Sequence, residues 1–363
     1  MAKGFSLNMY PWIYVAKFSD NKWSENYIEQ PHKTPEEEAS MSDEAMADLS
    51  LKRNTIPGIP VITYTSQYGN GCFEGLKGFP QPDGSIKIFR PDENAKRFKA
   101  SMEGLYMPGF PPEKFLESVK AVIRKNAEIG FAAKYDKAWE KDNFLSGTSI
   151  YLRPFSLTEP GIGVNISSSP WVITIATPVG AYFASGSHGA TTTERIRATP
   201  KGTGALKANS NYVISALAKH EAIQAGFMEA VFLDVEERKY LEEGSSSNIF
   251  CYLKNGTLVT PNLGDTILPG ITRKSILKLA SDMGIKTEER KISVDEAMSD
   301  SLEMFVTGTA AGISFLDSLQ HKGKKVVFNN GKMGNLATKL LAKLKGIQYG
   351  MEEDKYGWMF DIK

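Results

Sequence analysis

The sequence predicts a two-domain protein of mixed α/β class, and three observations lead there. At 363 residues the chain exceeds what one ordinary core supports. Strand-like stretches rich in β-branched and aromatic residues alternate with stretches of helical period, as where SIKIFRPDENAKRFKASMEGL runs from a strand into a helix. Between Pro178 and Gly189 the chain turns small and polar, the composition of a link between domains. The expected division is a first domain over 1–177, a linker over 178–189 and a second domain over 190–363.

Residues 1–55 are polar and charged, with a Pro- and Glu-rich stretch from Pro31 to Asp48, and read as an extension wrapping the surface. Strand material starts near Ile59, and IPVITYTSQYGNGCFEGLKGF reads as β structure around a turn at Gly69 to Gly71. Arg90 marks a strand-to-helix junction, with Pro91 near the first helical position. SGTSIYLRPFSL and SPWVITIATPVG carry further strands. In the second half, Ile214, Ala218, Glu221 and Ala222 lie along one stripe of a helix that Gly226 ends. A strand from Glu229 to Asp234 precedes the loop EEGSSSN and a hairpin whose turn is Asn255-Gly256. The period then becomes helical, with Ile276, Leu279, Ala280 and Met283 on one face and Gly284 as the stop. A last strand, Glu303 to Val306, runs into TGTAAG.

Composition narrows the function. Lys plus Arg, 43 in all, nearly balances 42 Asp plus Glu, so no global field recruits nucleic acid or an anionic membrane, and small-molecule partners are expected. No run of about eighteen apolar residues supports a membrane span. Cys72 and Cys251 form no CxxC pair or Cys/His cluster, which points to a reducing cytoplasm and no metal. His32, His188, His220 and His321 are scattered without metal spacing or a nucleophile partner, and none is assigned a catalytic role.

Chemistry-bearing residues fall in a few segments. Lys207 follows a flexible Gly-Thr-Gly and precedes a helix, so its amine could project from an element end. GTGALK lacks the spacing of a phosphate loop, which counts against nucleotide hydrolysis. Tyr212, five residues on, could hydrogen-bond beside that amine, and Glu243, opening EGSSSN, could face a ring nitrogen. The run Pro269 to Thr272 before a well-formed helix offers amides and a positive dipole end to a phosphate, with Arg90 as a second half of the clamp. Thr307 to Ala311 is small enough for a ligand to approach its amides. Phe73, Tyr151, Arg153 and Tyr182 could line an apolar pocket with polar handles. Each also has a plain structural reading: a solvated lysine, a core aromatic, a polar turn, a helix start that binds only water.

Taken in order, FEGLKGF, IFRP, YLRP, PVGAYF, KANSNY, EGSSSN, LPGITR and FVTGTAAG, spread from about Tyr64 to Asp317, resemble the branched-chain amino acid aminotransferases, which are fold-type IV pyridoxal phosphate enzymes. The resemblance implies an α/β (α+β) fold with mixed sheets, a barrel-like C-terminal domain, and pyridoxal 5'-phosphate in the cleft between domains. It implies that Lys207 holds the cofactor as a Schiff base and shuttles the proton between the substrate's α-carbon and the cofactor. Tyr212 would bond the ring oxygen and Glu243 the pyridine nitrogen. Arg90, Ser246, Ile271, Thr272 and Thr309 would hold the phosphate. Phe73, Tyr151, Arg153, Tyr182, Thr309 and Ala310 would meet the substrate. The reaction implied is reversible amino transfer between leucine, isoleucine or valine and 2-oxoglutarate, in a cytoplasmic homodimer. D-amino acid transaminases and aminodeoxychorismate lyases share the fold and stand as alternatives, as does a non-catalytic binding homologue.

Overall fold

The computed structural model describes residues 7–180 and 188–363. Tyr182 and most of the expected linker lie outside the described residues. The chain separates into two compact units, one formed by Met1–Tyr182, Ala208–Ser210 and Ile347–Lys363, the other by Phe183–Lys207 and Asn211–Gly346.

The first unit is built on an antiparallel sheet of β1 (Trp12–Ser19), β2 (Lys22–Glu29), β3 (Leu76–Pro80), β4 (Ile86–Phe89), β5 (Ser149–Leu157), β6 (Trp171–Val179) and, from the chain's far end, β17 (Met359–Asp361). Their order is β17-β4-β3-β5-β6-β1-β2. Residues 12–29, expected to wrap the surface, form instead the hairpin β1–β2. Ile13, Tyr14, Val15 and Ala16 are all buried, so β1 is covered on both faces and shows no polar alternation. Edge strand β2 is the polar part of that segment. Likewise the single domain expected over 190–363 loses its C-terminal end to the first unit, where Met359 pairs with Phe89 across β17 and β4.

Helices α1 (Pro35–Ala39), α2 (Asp43–Arg53), α3 (Tyr64–Tyr68), α4 (Pro91–Gly104) and α5 (Pro112–Glu128) complete this unit. Helix α5 buries Phe115, Val119, Val122, Ile123 and Asn126, one stripe at helical spacing. Its Asn126 amide exchanges two hydrogen bonds, each 2.9 Å, with the backbone of Trp12. The turn of helix α3 lies where β structure was expected. Thr63 and Ser66 form a capping box and Gly69 closes the helix at φ +69, so local caps override the β-branched composition.

The second unit carries a mixed ten-stranded sheet. Its strands are β7 (Gly189–Thr192), β8 (Glu229–Leu233), β9 (Leu241–Gly244), β10 (Asn248–Leu253), β11 (Thr257–Thr260), β12 (Lys286–Glu289), β13 (Ser301–Gly308), β14 (Gly312–Leu316), β15 (Ser318–His321) and β16 (Lys324–Val327). Helices α6 (Asn211–Gln224), α7 (Ile271–Asp282), α8 (Val294–Asp300) and α9 (Asn335–Gln348) accompany them. The order β12-β11-β10-β9-β8-β7-β15-β16, with β13 between β10 and β14, mixes parallel pairs such as β7–β8 with antiparallel ones such as β10–β13. The Asn255-Gly256 turn joins β10 to β11, with Gly256 at φ +82. The strand expected to be last is longer, Ser301–Gly308, and further strands follow it. Val231, Ile249, Val259, Met304, Val306 and Leu319 form the core of this unit. No described helix is long and apolar enough to cross a membrane.

One buried ion pair closes the N-terminal region of the first unit. Arg53, 1% exposed, donates to the Glu38 carboxylate at 3.0 Å and to the carbonyls of Pro31 (2.9 Å) and Met9 (3.1 Å). Arg53→Ala strands the carboxylate and both carbonyls in a dry site. The expected loss is about 3 kcal/mol in urea unfolding, read as a lower midpoint at constant slope. A loss under about 1 kcal/mol would show that the pair is merely tolerated.

Candidate active site

Several of the residues singled out in the sequence meet in the second unit. Lys207 ends the segment GTGALK and donates from Nζ to the Tyr212 hydroxyl at 2.8 Å. The loop before it is fixed rather than flexible. Gly204 is buried, and a Cβ there would sit 2.7 Å from the Thr266 backbone, so glycine is required by close approach. The Asn211 side chain, opening α6, donates to the carbonyls of Thr203 (2.8 Å) and Leu206 (3.0 Å) and accepts from the Thr203 hydroxyl (2.6 Å). Ala208 and Asn209, which follow the lysine, pair with Cys72 and Gly71 of the first unit, to which they belong.

Glu243 stands on strand β9 and is buried, not at the mouth of a polar loop. Its carboxylate meets the Arg197 guanidinium at 2.6 Å and accepts from Asn248 Nδ2 (2.7 Å) and from the Leu268 N–H (3.0 Å). Burial pushes this carboxyl up to about 7, against the pull of Arg197, the Leu268 amide and the charge of Lys207. The sequence reading passed over Arg197. Its partner lies 46 residues away, and no local pattern marks it.

Asn248 spans from Glu243 to the Leu268 carbonyl (3.0 Å) and so ties β10 to the segment entering α7. A Cβ on Gly270 would come within 1.9 Å of Asn248 Oδ1, so only glycine lets the helix begin here. Gly270 provides no side-chain cap, leaving the positive end of α7, with buried Ile271 and Thr272, suited to an anion. Nearby, the hydroxyls of Ser245, Ser247 and Thr307 are buried without protein partners, as is Arg197 Nε. Thr307 pairs with Asn248 in the sheet, and Gly308 lies beside the Ser246 carbonyl. Thr309 and Ala310 occupy the turn between β13 and β14.

These features fit pyridoxal phosphate. A dry carboxylate whose proton affinity stays high beside an arginine is matched by a cationic ring nitrogen, and unpartnered hydroxyls and an uncapped helix start each suit a phosphate.

The other predicted residues lie in the first unit. Arg153 donates to the Tyr151 hydroxyl at 2.8 Å and stacks its guanidinium on the Phe73 ring at 4.5 Å, so these three form one cluster. Glu74, between Phe73 and Gly75, is fully buried and held by Arg97 (2.7 and 2.8 Å) and Asn94 (2.7 Å). Arg90 is the N-cap of α4, at φ +49, beside Trp358.

Residues 71–319 match the amino-transferase class IV family. The branched-chain-amino-acid aminotransferase of Mycolicibacterium smegmatis is 40% identical over 310 residues, 80% of either chain. Among solved structures, the Escherichia coli branched-chain amino acid aminotransferase aligns with a TM-score of 0.72 at 30% identity, over 85% of this chain and 95% of that one. The branched-chain amino acid aminotransferase of T.th., complexed with N-(5'-phosphopyridoxyl)-L-glutamate, aligns with a TM-score of 0.70 at 28% identity, over 85% and 94%.

Raised by burial, Glu243 keeps its proton in the folded, cofactor-free protein at pH values where the unfolded chain has released it. Its stabilising contribution is therefore complete below about 4.5 and disappears as pH rises through about 7. Between about pH 5 and about pH 8, wild type should lose roughly 2 to 3 kcal/mol relative to Glu243→Gln, which does not titrate. Urea unfolding of both proteins at the two pH values measures it, and parallel pH profiles would contradict the assignment.

Proposed function

The chain belongs to the class IV aminotransferases, and on that premise we propose that it transfers amino groups reversibly between L-leucine, L-isoleucine or L-valine and 2-oxoglutarate, using pyridoxal phosphate on Lys207. One observation carries the reading: the Lys207 amine lies 2.8 Å from the Tyr212 hydroxyl, and its charge acts on the buried Glu243 carboxylate. The names of the matched relatives support the branched-chain substrates.

When bound, pyridoxal phosphate supplies an aldehyde that condenses with amines and a ring that draws electrons from the substrate's α-carbon. Lys207 Nζ would take the proton from that α-carbon and pass it to the cofactor's former aldehyde carbon, the reverse transfer serving the return half-reaction. The Tyr212 hydroxyl aims the amine. Glu243, braced by Arg197 and Asn248, would give up its proton and pair with the ring nitrogen once the cofactor is bound. The amides of Ile271 and Thr272, with Ser246 and Thr309, would receive the phosphate, and Arg90 is proposed as a further ligand to it. The turn amides at Thr309 and Ala310 take the substrate carboxylate. Phe73, Tyr151 and Arg153, joined by Tyr182 on the family resemblance alone, would line the side-chain pocket, where the aromatic faces of Phe73 and Tyr151 suit a branched side chain and the Arg153–Tyr151 pair suits the distal carboxylate of glutamate.

The enzyme works in the cytoplasm as a homodimer. Ile162 and Val164 are 84% and 92% exposed, and the Gly161 N–H bonds the carbonyl of Ile62 (3.3 Å), itself 66% exposed, so exposed apolar residues lie near one another there. Such a patch suits a second copy.

Lys207→Ala is expected to lose more than about 10²-fold in turnover with L-leucine and 2-oxoglutarate. Borohydride should fix the cofactor on Lys207 of the wild type, read by peptide mass. Near-normal turnover of the variant, or D-alanine outperforming L-leucine as donor, would overturn the assignment. In solution the protein should weigh twice its chain mass, and Val164→Asp should shift it toward monomer on dilution; light scattering reads both.

A further inference from the structure

Arg90 carries an unusual backbone. It adopts φ +49, ψ +44, the left-handed region that a residue with a Cβ rarely enters, so its surroundings must hold it there. Two groups of Trp358 do so. The Trp358 carbonyl accepts the Arg90 N–H at 2.7 Å, and the Trp358 ring lies under the guanidinium at 4.9 Å. Trp358 is itself braced: Tyr356 stacks on it at 4.2 Å, Phe89 meets it edge-on at 5.7 Å, and the next residue, Met359, pairs with Phe89 in the sheet. Asp354 pins the approach by accepting from the amides of Tyr356 (3.2 Å) and Met359 (2.7 Å). Glu93 adds its charge 3.9 Å from the guanidinium.

We infer that Trp358, brought in by the C-terminal strand, is a positioning residue for Arg90 and through it sets affinity for the cofactor's phosphate. The inference rests on the reading of Arg90 as a phosphate ligand. Arginine is long and rich in rotamers, and its affinity for a phosphate depends on how much of that freedom is removed beforehand. A ring beneath the guanidinium restrains it from one side without using its N–H groups as donors, and it is those groups that phosphate oxygens meet. A residue about 270 positions later in the chain thereby fixes an arginine at the start of α4.

The test is titration of cofactor-stripped protein with pyridoxal phosphate and, separately, with pyridoxal, which lacks the phosphate. Trp358→Phe, which keeps a ring, should bind pyridoxal phosphate within about twofold of wild type. Trp358→Leu should bind it about three- to tenfold more weakly, with pyridoxal affinity unchanged. Trp358→Met serves if the leucine variant does not fold. In an Arg90→Ala background the Trp358 change should cost nothing further. Equal weakening toward both ligands, or losses that multiply with Arg90→Ala, would make Trp358 a general support and overturn the inference. So would Trp358→Leu binding like wild type while Arg90→Ala binds poorly. If Arg90→Ala itself keeps wild-type affinity for pyridoxal phosphate, the phosphate role of Arg90 fails, and the inference falls with it.

Discussion

The second unit is organised around a carboxylate that water cannot reach. A buried charge has to be compensated from within the protein, or it takes up a proton. Glu243 draws its compensation from separate stretches of chain: the Arg197 guanidinium, the Asn248 amide, the Leu268 backbone and the charge of Lys207. Each partner fixes the segment that carries it. Arg197 also donates to the Gly204 carbonyl at 3.2 Å, in the loop leading to Lys207. Asn248 also holds the segment entering α7. One electrostatic requirement thus brings together the amine, the acid and the uncapped start of α7.

Close backbone approach does the rest. At Gly204 and Gly270 the space a Cβ would fill is taken by Thr266 and by Asn248 Oδ1. Glycine serves here by its small size, and the loop before Lys207 is accordingly stiff. Stiffness matters for the catalysis proposed at Lys207 because an amine gains from being held in one place, and the Asn211 hydrogen bonds to Thr203 and Leu206 reinforce it. The first unit follows the same logic with buried ion pairs. Arg53–Glu38 locks the N-terminal segments, and Arg97–Glu74 locks the strand approach that carries Phe73.

Much of this could be read from local pattern. The helical period and Gly284 stop of α7, the Asn255-Gly256 hairpin and the Arg90-Pro91 helix start all rest on forces that act within a few residues. The N-terminal hairpin could not be read this way. Strand β1 is buried on both faces and β2 lies polar at the sheet edge, so neither shows the alternation that marks a half-buried strand. Helix α3 was hidden because a cap and a left-handed glycine outweigh β-branched composition over so short a stretch.

By itself, the sequence determined the class of fold and singled out the amine, the acid and the segments proposed to receive a phosphate. Residue type, turn chemistry and the order of eight short segments are properties of the chain that no folding is needed to reveal. Only the tertiary structure decided that Glu243 is dry, that Arg197 stands against it, that Gly204 and Gly270 are sites of contact, and that Trp358 lies beneath Arg90. Desolvation and long-range pairing depend on what the fold packs around a residue, and neighbours in sequence carry no record of it.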